Sequence, residues 1–145
     1  ARIGWIVTKD HDLYSKIAAF KDYTTICSSA PSEILSIIVL RNKDKVICEH
    51  LERIHRNLTV FDSFLSEYSE MLAWIKPKAG TIGFPKLITN EDTTVFCQEI
   101  IDTTGILLLP SYVYDFDRKH FRVGFGRENF PEILERLAIY LKNRK

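Results

Sequence analysis

The stretch KDKVICEHLERIHRNLTVFDSFLSEYSEML, residues 43–72, carries the clearest periodic signal in the chain. Ile47, Leu51, Ile54, Leu58, Phe61, Leu65, Tyr68 and Leu72 advance in alternating steps of four and three, which lines them on one seam of a long helix. Glu49, Glu52, Arg53, Arg56 and Glu67 fall between them as the solvated side. Two arrangements satisfy this pattern: a coiled-coil dimer closed through the seam, or a single helix lying across a sheet or between two domains. No matching second helix follows, and that favours the single helix.

Working towards the N-terminus, Pro31 and Glu33 suit the first turn of another helix, in which Ile34, Leu35, Ile37, Ile38, Val39 and Leu40 are apolar nearly all round. Such a run also fits a buried strand, and Pro31 with Glu33 tips it to a helix. Asp10 or Asp12 caps an earlier helix carrying Leu13, Ile17 and Phe20. Arg2 to Thr8, with Ile3, Trp5, Ile6 and Val7, reads as a strand.

Working towards the C-terminus, the texture turns to short strands and turns. Leu72 to Ile75 and Thr81 to Leu87 are strand candidates, the second stopping near Pro85. Asn90 or Asp92 caps a helix with Val95, Phe96, Ile100 and Ile101, closed by Gly105. Ile106 to Leu109 reads as a buried strand ended by Pro110, and Phe121 to Phe125 as another strand. Pro131 opens a last amphipathic helix with Ile133, Leu134, Leu137, Ala138 and Leu141 on its apolar face. Strands and helices alternate, so the class is α/β, with an α+β C-terminal part.

The composition bounds the function. At 145 residues, 46% hydrophobic and 27% charged, the chain has enough apolar material for a core and too little net charge for disorder. Its 20 basic and 19 acidic residues nearly cancel, which argues against nucleic acid or an anionic membrane as partner. No run approaches the ~18 apolar residues of a membrane span. Cys27, Cys48 and Cys97 are odd in number, far apart and form no Cys-x-x-Cys pair, which points to reduced core residues in a cytoplasmic protein. His11, His50, His55 and His120 have no metal spacing, so no metal site is expected. The chain opens as Ala-Arg-Ile-Gly-Trp, inside a strand-like pattern, and its only methionine is Met71, so it is expected to be cut from a longer protein.

Two arginines stand apart from this plain background. Arg2 precedes Ile3-Gly4-Trp5, and Arg122 lies within Phe121-Arg122-Val123-Gly124-Phe125. An arginine among β-formers and glycines is costly to bury unless an anion or carboxylate meets its planar fork. The partner is either a ligand anion or one of the chain's own acidic residues, and the residues alone leave both open.

Four blocks then share an order and spacing: Arg-Ile-Gly-Trp at 2–5, Lys-Pro-Lys-Ala-Gly-Thr-Ile-Gly-Phe-Pro at 76–85, Gly-Ile-Leu-Leu-Leu-Pro-Ser at 105–111 and His-Phe-Arg-Val-Gly-Phe-Gly-Arg at 120–127. Together they resemble the C-terminal part of the class I/II aminotransferases, pyridoxal-phosphate enzymes of fold type I. The resemblance implies that residues 1–42 are a remnant of a large domain (a strand plus two helices), that 43–72 is the long connecting helix, and that 73–145 is the small α/β domain. It further implies that Arg2 binds the phosphate of pyridoxal 5'-phosphate and that Arg122 binds the carboxylate of an amino acid or 2-oxo acid substrate, with Arg127 a neighbour of less defined role. The reaction it implies is amino-group transfer between the two.

Two departures qualify the likeness. Pro110-Ser111-Tyr112 stands where the family often has Pro-Gly-Ser. The family's Schiff-base lysine, in a Ser-x-x-Lys setting just before the first block, has no counterpart here, and neither has the aspartate that pairs the pyridine nitrogen. The chain alone is therefore expected to be catalytically silent, with no cofactor bound covalently. Other readings are a stand-alone carboxylate-binding or self-association module, for which a homodimer is the natural form, and a fragment of a fold type I lyase or cyclase. A lone first strand would have open edges, so residues 1–42 are expected to be repacked, swapped or held by a neighbour.

Overall fold

A computed structural model describes residues 2–144, and it divides the chain into two compact units at the boundary between Cys48 and Glu49. The class is α+β.

In the first unit, Arg2 to Lys9 forms no strand, which corrects the strand expected at Arg2 to Thr8. The β-forming side chains are present, but a strand exists only where another edge takes up its N–H and C=O groups, and the described residues of the first unit offer none. Helix α1, His11–Thr24, begins at Asp10, whose carboxylate accepts from the Leu13 N–H at 3.0 Å. Helix α2, Ala30–Arg41, has Pro31 in its first turn, and Asn42 closes it by donating from Nδ2 to the Ile38 carbonyl at 2.8 Å. Neither helix buries a residue, so the apolar run Ile34 to Leu40, read as a buried element, lies exposed.

Helix α3, Lys43–Glu67, is continuous and ends five residues before Leu72, where a turn takes over and both the Met71 and Leu72 N–H groups bond the Tyr68 carbonyl. Along the expected seam, Ile54, Phe61, Leu65, Tyr68 and Leu72 are buried in the second unit's own core, while Ile47 and Leu51 are exposed. The lower seam is thus spent within the chain.

The second unit carries two small antiparallel sheets. Strand β1, Leu72–Ala73, pairs with β3, Lys86–Leu87. Strands β2, Ile82–Gly83, and β4, Leu109–Pro110, flank β5, Phe121–Gly124, in the order β2-β5-β4. The single strand expected at Thr81 to Leu87 splits around Phe84 and Pro85, because Pro85 has no N–H to give to a ladder. Its carbonyl still accepts from the Phe121 N–H at 3.1 Å. Helix α4, Thr93–Thr104, starts at Asp92 and stops at Gly105, whose φ of 69° is the left-handed conformation a glycine adopts without strain. The strand expected at Ile106 to Leu109 pairs only from Leu109 onward; Ile106 and Leu108 are buried and Leu107 faces out. Helix α5, Phe130–Asn143, turns Phe130, Leu134, Leu137 and Leu141 into the core. The rings of Phe61, Trp74, Phe125 and Phe130 meet there, with Phe61 and Trp74 edge to face at 5.0 Å.

Candidate functional site

Strand β5 alternates sharply. Phe121, Val123 and Phe125 turn into the core, and Arg122 and Gly124 turn out. The strand is held on both sides: Leu109 of β4 lies opposite Arg122, and Gly83 of β2 opposite Val123. Arg122 therefore stands on the middle strand of three.

The segment between β4 and β5 folds back over this outward face. Its first residues, Ser111–Tyr114, form a short 3-10 turn, and Asp115 leaves it in the left-handed conformation with φ 51°. Buried Ser111 donates from Oγ to the Asp117 carbonyl, and its N–H bonds the His120 carbonyl at 2.8 Å. Asp117 in turn accepts from the N–H groups of Lys119 and His120 at 3.0 and 3.2 Å and meets His120 Nδ1 at 2.8 Å. Burial pushes the Asp117 carboxyl up, but the His120 ring and the Lys119 N–H outweigh it and hold the group below its ordinary range.

This closure gathers aromatic rings beside the arginine. His120 stacks on Phe84 at 5.1 Å with 11° between planes, and Phe116 stands 5.7 Å from Phe84 and 5.3 Å from His120. Tyr114 meets Phe84 edge to face at 6.1 Å, and its hydroxyl accepts from Arg122 Nη1 at 2.9 Å. Ile82, Phe84, Tyr114, Phe116 and Arg122 line an open cleft of about 380 Å³. On its other flank Arg122 lines a second cleft of about 470 Å³ that also receives Arg127 and Arg136.

Among the described residues Arg122 has no carboxylate partner, so the salt-bridge alternative for it has no support. Four of the ~five guanidinium N–H donors are left for a ligand once one serves Tyr114. Arg2 is exposed, has φ 52°, and likewise meets no acid among the described residues. It belongs to the first unit and Arg122 to the second. Arg127 joins Arg122 in the larger cleft, and its carbonyl accepts from Asn57. Reasoning from sequence missed Phe84, Tyr114, Phe116 and His120. The available signal was the density of rings in Tyr112-Val113-Tyr114-Asp115-Phe116, more aromatic than a solvated loop needs.

No family model matches the chain. Capreomycidine synthase of Streptomyces vinaceus is 25% identical over 137 residues, which is 94% of this chain and 34% of that protein. A pyridoxal-phosphate-dependent aminotransferase of Streptococcus suis superposes with a TM-score of 0.84 at 22% identity, over 94% of this chain and 36% of that one. The pyridoxal-phosphate-dependent cyclase OrfR gives 0.80 at 23% identity, over 92% and 37%. The chain thus spans about a third of the length of the relatives it matches. Its fold is that of the C-terminal part of the fold type I pyridoxal-phosphate-dependent aminotransferases.

Proposed function

We propose that the chain serves as the C-terminal part of a pyridoxal-phosphate-dependent enzyme that moves an amino group between an amino acid and a 2-oxo acid. Residues 1–42 belong to its large domain, 43–72 to the connecting helix and 73–145 to the small domain. Arg122 grips the substrate carboxylate, and Arg2 contributes a guanidinium to the cofactor phosphate. One observation carries the reading: on a strand whose other side is core, Arg122 offers an unpaired guanidinium to an open cleft. The surface of the first unit agrees with it. Trp5, Ile6, Val7, Phe20, Ile34 and Ile38 are all more than half exposed, an apolar area of the kind that the remainder of a large domain would cover.

The residues present fit the cofactor only in part. Arg2 has the donor chemistry a phosphate needs, but nothing closes around it: a Cβ placed on nearby Gly4 would meet no atom within 4 Å. No described residue forms a cradle for the ring. When bound, pyridoxal 5'-phosphate supplies an electron sink for the substrate's α-carbon. The share of this chain is to bind and orient: two parallel N–H···O bonds from Arg122 fix the plane of a carboxylate and with it the direction of the amine.

Amino-group transfer and cyclisation are both represented among proteins of this fold, and a carboxylate grip serves either. The resemblance of the four sequence blocks favours transfer. The test is thermal unfolding of the chain with and without pyruvate. A rise in Tm that vanishes in Arg122→Ala supports the carboxylate role. The same rise persisting in that variant overturns it.

A further inference from the structure

Beyond the carboxylate itself, the cleft beside Arg122 has a shape and a chemistry that select what the carboxylate is attached to. We infer that the ligand taken at Arg122 is a monocarboxylate with a flat aromatic side chain. This rests on the carboxylate reading of Arg122 and goes further, by naming the substrate class.

Of the five side chains lining the cleft, four are apolar or aromatic and one is charged. A single guanidinium neutralises a single carboxylate, and a second charge on the ligand would face Ile82, Phe84 and Phe116 with no partner. The volume, about 380 Å³, lies near the lower end of the ~300–1,000 Å³ of small-molecule pockets, room for one ring and a short chain.

The wall is also pre-formed. Phe84 is held by its stack on His120, His120 by both carboxylate oxygens of Asp117, and Asp117 by its bonds with Lys119 and Ser111. Tyr114 is fixed at one end by Arg122 itself. Yet the wall is not used up by the core: the rings of Phe116 and Tyr114 are 57% and 44% exposed, and the aliphatic Ile82 beside them 43%. Ordered aromatic surface left open next to a cation gives an aromatic acid two anchors at a fixed separation, and the rings lose little freedom on binding.

The experiment titrates the full chain with 3-phenylpropionate, propionate, succinate and 3-phenylpropionamide, following the amide signals of residues 82–84 and 111–124 by NMR. The aromatic acid is expected to bind about 10-fold more tightly than propionate, the gain from partly burying one ring. Phe116→Ala should bring it down to the level of propionate. Phe116 lies outside the core, and Phe84→Leu gives a second variant with the same expected result. Arg122→Gln should abolish binding of both acids. Equal affinities for propionate and 3-phenylpropionate, both lost in Arg122→Gln, would overturn the aromatic class and leave the carboxylate reading standing. Tighter binding of succinate would also overturn it, moving the ligand to the cleft shared with Arg127 and Arg136. If the amide binds as well as the acid, or if no acid binds, the carboxylate reading falls and this inference falls with it.

Discussion

The side-chain amide of Asn57 donates a 2.9 Å hydrogen bond to the carbonyl oxygen of Phe125, 68 residues further along the chain. A second bond from the same nitrogen reaches the Arg127 carbonyl at 2.7 Å. Asn57 is fully buried, so one polar group on α3 fastens the exit of β5, the strand that carries Arg122, to the long helix. Asn57→Leu leaves two carbonyls without their donor. The expected loss is about 1–3 kcal/mol, read as a lower urea midpoint with an unchanged slope. Asn57→Asp should cost more, because it sets an acceptor and a buried charge against those same carbonyls.

Gly83 lies opposite Val123 where two rings close in. A Cβ there would stand 2.8 Å from Phe125 Cζ and 3.1 Å from Trp74 Cζ3, closer than carbon atoms pack. Both rings belong to the aromatic core and have little room to retreat. Gly83→Ala is expected to destabilise the second unit by about 1–3 kcal/mol and to change the tryptophan fluorescence of the folded chain.

Asp92 caps α4. The Thr94 N–H, and then Arg118, bring its carboxyl from 3.8 down to about 2. A group with a lowered folded pKa stabilises fully above its unfolded value and stops doing so as the pH falls through its folded value. Thermal scans should therefore show Asp92-dependent stability lost between pH 3.8 and about 2. Asp92→Asn keeps a capping oxygen, so the difference between wild-type and variant Tm should shrink over that interval. A difference that holds constant down to pH 2 would mean that the cap does not titrate.

Cys97 is buried against the core, and burial, helped by the charge of Glu91, pushes its thiol up to about 12. Cys27 and Cys48, expected in the core from their spacing, are instead exposed, because they lie on the surface of the first unit. A maleimide at neutral pH is expected to modify those two in the native chain and to reach Cys97 only when the second unit opens. Mass mapping after brief labelling, with and without urea, checks this. Native labelling of Cys97 at the rate of Cys27 would show that the α4 face of the core is loose.

The helices could be read from the chain because their ends are written in local chemistry. Asp10 and Asp92 each accept from a first-turn N–H, Pro31 and Pro131 sit in first turns, and Gly105 takes the left-handed terminus. Residues 2–8 misled for an equally physical reason. Ile3, Trp5, Ile6 and Val7 favour extended backbone, but a strand is a relation between two segments, and the described residues of the first unit have no second segment to give. At the site, Arg122 was visible as a charge set among β-formers, whereas the rings around it were not. Phe84 and His120 lie 36 residues apart and meet because Pro85 and Lys86 pair with Phe121 and His120, and because Ser111 and Asp117 close the segment between β4 and β5. No local period announces such a contact.

The placement of Arg122 on the middle strand has an evolutionary consequence. Its backbone is pinned by two neighbours, while Tyr114 and Phe116, which shape what lies beside it, ride on a connecting segment that tolerates insertion and exchange. Under the proposed carboxylate role, a lineage can therefore revise the side chains it accepts by rewriting that segment alone, while the strand that holds the arginine stays as it is.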